Sequence, residues 1–193
     1  MHYPKHVEAM ILRGIFLGRE EDIQWLYQEG ASYFYPLEHE KFKAVIPKEK
    51  QDDLISAYYE IFQSDDEQLK QKAAKAWADW EGSLVHLIPK TDHYDQKVSE
   101  ADISIALLEC HFFANKMFWD DDDYLLKRLH IIEDIPCYIV HGRYDVDCRP
   151  SAAYELAKGL KESKLYLVEA SGHSPYEKRM FEVLSEIMQH LSK

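Results

Sequence analysis

A chain of 193 residues, 46% hydrophobic and 13% aromatic, carries enough apolar material for a substantial core, which excludes a disordered or low-complexity protein. Its 35 acidic against 23 basic side chains leave a formal net charge of −12, so nucleic acid and anionic membrane surfaces are not expected partners. The three cysteines at 110, 137 and 148 and the ten histidines show no metal-type spacing, so a structural metal is not expected. An odd thiol count, with no apolar stretch behind a basic start and no run near ~20 apolar residues, predicts a cytoplasmic protein that does not span a membrane.

Taken in chain order, residues 9–17 form a near-continuous apolar run closed by Gly18, the pattern of a strand buried on both faces. From residue 20 to 129 the periodicity is helical. A short helix is expected over 22–29, stopped by Gly30. Another is expected over 48–63, behind Pro47, with Leu54, Ile55, Tyr58 and Phe62 on one face. Asp65, Asp66 and Glu67 open a third, since acids favour the first helical turn, and Ser99 caps a fourth over 99–116. Residues 91–97 are polar and read as a loop. Strands return at Cys137 to His141, entered by Pro136 and closed by Gly142, and at Leu165 to Val168. Helical patterns follow at 151–161 and 176–191. Strand–helix alternation of this kind predicts an α/β protein with about three parallel strands, near 9–17, 136–141 and 164–168. The predicted organisation is a sheet-bearing core of residues 1–19 and 130–193 interrupted by a helical layer of residues 20–129.

Three stretches bear on chemistry. Asp145 follows the strand that ends at Gly142, and His173 follows the strand that ends at Val168. Carboxyl ends of parallel strands are where α/β sheets build their sites. Alone, each has a commoner use, as a loop-capping aspartate or a solvated histidine. Their separation of 28 residues leaves room for one helix and one strand, which is what adjacent strand ends require. An aspartate there fixes the imidazole tautomer and supports a general base. In the helical layer, Glu81 follows Trp80, and Glu109 stands before Phe112 and Phe113. Two carboxylates lined by aromatics suit a cationic amine, although a surface glutamate is the commoner meaning of either one alone.

Five collinear stretches resemble the proline iminopeptidases: Leu12 to Leu17 (LRGIFL), Asp22 to Ala31 (DIQWLYQEGA), Trp80 to Gly82, Gly142 to Asp145 and Gly172 to Ser174. The resemblance covers almost the whole chain. It implies a partial α/β-hydrolase fold with a helical cap, and a cofactor-independent serine exopeptidase acting on peptides with an N-terminal proline. It further implies that Asp145 and His173 match the triad acid and base. Glu81 and Glu109 match the cap glutamates that grip the prolyl amine, with Trp80, Phe112 and Phe113 beside them. Two stretches depart from the family pattern: Tyr35 to His39 lacks its acid and Trp after the proline, and Cys110-His111-Phe112 replaces its Asn-His-Tyr.

The family's nucleophile elbow, a Gly-x-Ser-x-Gly turn, precedes the Leu-Arg-Gly-Ile-Phe strand, and no serine of these 193 residues sits in such a turn. The expectation is therefore a C-terminal portion that is inactive alone, because losing a triad nucleophile costs on the order of 10⁶ in kcat. The competing expectation is a non-catalytic remnant or binding module. An epoxide or ester hydrolase is a weaker third, disfavoured by the glutamate pair. Without neighbouring strands, residues 10–17 would present a bare apolar edge, so either a homodimer or capture by a separate N-terminal half is expected.

Overall fold

The computed structural model describes residues 1–88 and 97–192; the loop expected over 91–97 therefore lies, but for Lys97, outside the described residues. In chain order the elements are β1 (Met10–Arg13), α1 (Glu20–Ile23), α2 (Pro36–Lys43), α3 (Leu54–Gln63), α4 (Glu67–Leu84), α5 (Glu100–Ala114), β2 (Cys137–Gly142), α6 (Pro150–Lys158), β3 (Ser163–Val168) and α7 (Lys178–Leu191). They divide into two compact units. One comprises residues 1–17, 85–87 and 120–193, and the other residues 18–84 and 88–119.

In the sheet-bearing unit the strand order is β1-β2-β3 and both pairings are parallel. Met10 aligns with Cys137 and Arg13 with Val140, while Cys137 aligns with Ser163 and Gly142 with Val168. The central strand alternates between two apolar clusters, as period-two geometry requires. Cys137 and Ile139 pack with Ile15, Leu129, Ala152, Ala153 and Leu156, on the α6 face. Val140 packs with Val168, Met180 and Ile187, on the α7 face. A strand buried on both faces reads as a continuous apolar run, and that is why β2 was visible in the sequence. Together with its covering helices, this sheet is a partial α/β-hydrolase fold.

The first strand is shorter than the apolar run that announced it. Pairing stops at Arg13 because Gly14 takes φ +54°, a left-handed conformation that ends the extended chain. The Ile15 amide then donates to Nδ1 of His141, 3.2 Å away, in place of a ladder carbonyl. Ile15 and Leu17 remain buried although they lie outside the strand. Burial, not extension, made that run apolar. Residues 120–129, read from the sequence as part of the helical layer, belong to this unit, and Leu129 packs in its α6-face cluster.

Every regular element of the other unit, among its described residues, is a helix. Helix α1 continues into a π-helical turn, Gln24–Gln28, and the Glu29 amide closes it on the Gln24 carbonyl. Helix α2 was not foreseen; Pro36 opens it, a residue suited to the first helical position because it has no amide to satisfy there. Helix α3 begins at Leu54 rather than at residue 48. Asp53 caps it by accepting the Ser56 amide at 3.0 Å, and Lys48–Lys50 form a separate 3₁₀ turn. Ser99 caps α5 reciprocally: its hydroxyl accepts from the Asp102 amide, and the Asp102 carboxylate accepts from the Ser99 amide. Trp77, Trp80, Tyr27, Tyr58 and Phe42 are each about 1% exposed or less and form the centre of this unit. No helix among the described residues is long and apolar enough to cross a membrane.

Candidate active site

Two constellations stand out, one in each unit. In the sheet-bearing unit, the β2 and β3 ends are held so close that a Cβ on Gly142 would lie 2.0 Å from the Gly172 carbonyl oxygen. The Tyr144 amide donates to the Ser171 carbonyl at 3.0 Å, tying the two loops. Asp145 is placed by this turn. Its Oδ1 accepts the Cys148 amide at 2.8 Å, and its Oδ2 lies 3.1 Å from Nδ1 of His173. The structure thus brings together the two residues that the spacing had paired. The carboxylate is almost fully buried, while the His173 side chain is 16% exposed.

A second imidazole, His141, shares the same carboxylate, with Nε2 3.3 Å from Asp145 Oδ2 and 2.8 Å from the Cys148 carbonyl. Nδ1 of this ring accepts from Ile15, so Nε2 carries the proton and the ring is neutral. Burial is the main force pushing the His141 pKa down, against the raising influence of Asp145. For His173 burial also pushes down, but the Asp145 hydrogen bond and the charges of Asp147 and Asp145 outweigh it, and the net shift is upward.

The signs have opposite consequences for stability. His173 contributes stability that is complete below its unfolded pKa near 6.5 and is lost as pH rises through the higher folded value. His141 contributes stability above that unfolded value, lost as pH falls through its lower folded value. In an NMR pH titration His173 is expected to titrate above 6.5 and His141 below it. The reverse order would remove the asymmetric sharing of Asp145.

The His173 loop has further supports that the sequence did not single out. The Glu177 carboxylate accepts the Gly172 amide at 2.6 Å and the Leu87 amide at 2.7 Å, and the Ser174 amide donates to the Val85 carbonyl at 2.8 Å. Its only signal was a glutamate four residues after His173. Asp147, Cys148 and His173 place metal-type ligand atoms within 4.8 Å of one another. Burial holds the Cys148 thiol well above its ordinary pKa, which opposes the thiolate a metal needs. Burial likewise pushes Cys137 up to about 11.

In the helical unit, Glu81 on α4 and Glu109 on α5 converge on one donor. The indole Nε1 of Trp77 lies 3.0 Å from Glu81 Oε1 and 3.1 Å from Glu109 Oε2. The Tyr27 hydroxyl also donates to Glu81. Phe113 lies beside this pair, its ring centroid 5.4 Å from that of Tyr27 and 6.4 Å from that of Trp77. Trp80 does not line it, because its indole donates to the Leu26 carbonyl at 3.0 Å within the core. Phe112 is 42% exposed and packs on Phe118. Helical spacing explains the exchange of tryptophans: Trp77 is four residues before Glu81 and shares its face, whereas Trp80, one residue before, does not.

No family model matches the chain. Among curated proteins it is similar to the probable proline iminopeptidase of Leptolyngbya boryana, at 42% identity over 179 residues, 91% of this chain and 55% of the relative. It matches the proline iminopeptidase of Xanthomonas citri at 42% over 172 residues (87% and 54%) and that of Arabidopsis thaliana at 38% over 178 residues (91% and 47%). The chain spans about half the length of these curated relatives. Identity of 38–42% sustained along most of this chain makes it similar to the proline iminopeptidases over about half of their length.

Proposed function

We propose that this chain supplies the acid–base pair and the amine-gripping carboxylates of a cofactor-independent serine exopeptidase that releases proline from the N-terminus of peptides. The observation that carries the reading is the 3.1 Å contact between Asp145 Oδ2 and His173 Nδ1, in a chain similar to named proline iminopeptidases. With Nδ1 committed to the carboxylate, Nε2 is the nitrogen that takes the proton from a serine hydroxyl and returns it to the leaving amine. Asp145 then stabilises the imidazolium. The nucleophile is not among these 193 residues in a Gly-x-Ser-x-Gly turn, and it is to be supplied by a further segment.

A prolyl ammonium has two N–H bonds, one for each of Glu81 and Glu109, and Trp77 holds the two carboxylates towards a common point. The rings of Tyr27 and Phe113 favour a cation nearby. The three unpaired cysteines favour a reducing compartment, the cytoplasm.

The test is hydrolysis of a prolyl arylamide by the chain alone and by the chain co-purified with the nucleophile-bearing segment of a relative. Release is expected only from the complemented protein, and Asp145→Asn is expected to lower its kcat about 10⁴-fold. If the complemented serine reacts with a fluorophosphonate while prolyl substrate is left intact, the substrate assignment fails.

A second reading follows from β1, which is hydrogen-bonded to β2 alone among the described strands. Such an edge of Met-Ile-Leu-Arg is a pairing template, so a homodimer through β1 is the alternative to capture of the missing segment. Light scattering that shows a stable monomer at micromolar concentration, with fast hydrogen exchange at residues 10–13, would remove the homodimer.

A further inference from the structure

The side of His173 opposite Asp145 is occupied. Arg13, the last residue of β1, aims its guanidinium across the sheet ends. Nη1 donates to the His173 carbonyl at 2.5 Å, and Nη2 lies 3.2 Å from His173 Nε2. A guanidinium has no acceptor and an ionised carboxylate has no donor. The ring between them can satisfy both only with a proton on Nδ1, towards Asp145, and a lone pair on Nε2, towards Arg13. The backbone beside it is fitted to this approach. Gly14 takes φ +54°, and a Cβ there would lie 2.8 Å from His173 Cε1. The single charge in an otherwise apolar strand is therefore held against the imidazole by two contacts and a glycine.

We propose that Arg13 is a positioning residue that sets the His173 tautomer and caps the nitrogen through which the ring accepts a proton. His173 can take a proton only after Nη2 leaves Nε2, so the Arg13 contact is a latch on the base. The assignment of a base to His173 rests on the function proposed above, but the tautomer and the cap do not.

The groups facing the ring are Arg13 from β1, Asp145 and Asp147 from the turn after β2, and Cys148 beside them, while His141 competes for Asp145 from the buried side. Among these, Arg13 works against protonation of His173 and the two carboxylates favour it.

The experiment is imidazole ¹⁵N NMR on the full chain, wild type and the variants Arg13→Met and Arg13→Lys, across pH. In the wild type at alkaline pH the expected pattern is a protonated Nδ1 and a hydrogen-bonded, unprotonated Nε2. In R13M the His173 midpoint is expected to move up and the Nε2 signal to take the position of an uncapped lone pair. R13K keeps the charge but loses the planar fork, so its Nε2 signal should follow R13M while its midpoint stays nearer the wild type. A wild-type ring protonated on Nε2 would overturn the proposal and needs no variant to be seen. So would an R13M protein, with its β2 and β3 amide signals intact, that titrates and resonates with the wild type. If complemented protein fails to release proline while the capped Nε2 is observed, the functional reading falls and the latch stands.

Discussion

Trp77→Ala is expected to destabilise the helical unit by about 3–5 kcal/mol, the usual range for removing a large buried aromatic. Trp77 is fully buried, and its ring lies 4.5 Å from that of Tyr27, 5.4 Å from Tyr58 and 5.9 Å from Phe42, centroid to centroid. No neighbour can collapse into the space without leaving its own contacts. The substitution also takes the shared donor from two half-buried carboxylates, and a charge that loses its hydrogen bond there costs more than a neutral group would. All four tryptophans, Trp25, Trp77, Trp80 and Trp119, belong to this unit, so the remaining three report its unfolding in urea by fluorescence. Trp77→Phe separates the two contributions, because it keeps most of the packing and removes only the N–H. A loss of about 1–3 kcal/mol is expected there. An unchanged midpoint in Trp77→Phe would mean that the indole does not organise Glu81 and Glu109.

Gly142→Ala should be the most damaging small change in the sheet-bearing unit, at about 3 kcal/mol, the upper part of the range for overpacking. The added methyl would meet the Gly172 carbonyl oxygen at 2.0 Å and that of Ser171 at 2.6 Å. Both obstacles are backbone, so no side-chain rotation relieves them. The β2 end and the His173 loop would have to separate, taking with them the Tyr144–Ser171 hydrogen bond and the approach of His173 to Asp145. Fluorescence is the wrong readout, since this unit holds no tryptophan. Hydrogen exchange at β2 and β3 amides, with the Nδ1 proton resonance of His173, is the right one. Wild-type protection together with a retained resonance would show that the close approach is not needed to form the pair.

Much of this was legible along the chain because the signals are local. β2 was visible as an apolar run closed by Gly142, since a strand covered on both faces has no polar side to show, and β3 as the shorter apolar run from Leu165 to Val168. Asp145 and His173 could be paired by counting, because one helix and one strand fill the 28 residues between adjacent strand ends. Ser99 was identified as a cap because capping acts over three residues.

What tertiary structure alone decided depends on groups far apart in sequence. The length of β1 was set by Gly14 and by His141, 126 residues away from the Ile15 amide it accepts. Arg13 meets His173 across 160 residues, a contact no periodicity encodes. Spacing along α4 pairs Trp77 with Glu81, but Glu109 joins them from another helix, and that meeting depends on how α4 and α5 pack. Apolar patterning specifies which face of an element is buried, through the water it excludes. Directional hydrogen bonds between side chains form only once that burial has fixed their distances, and the chemistry of the site is of this second kind.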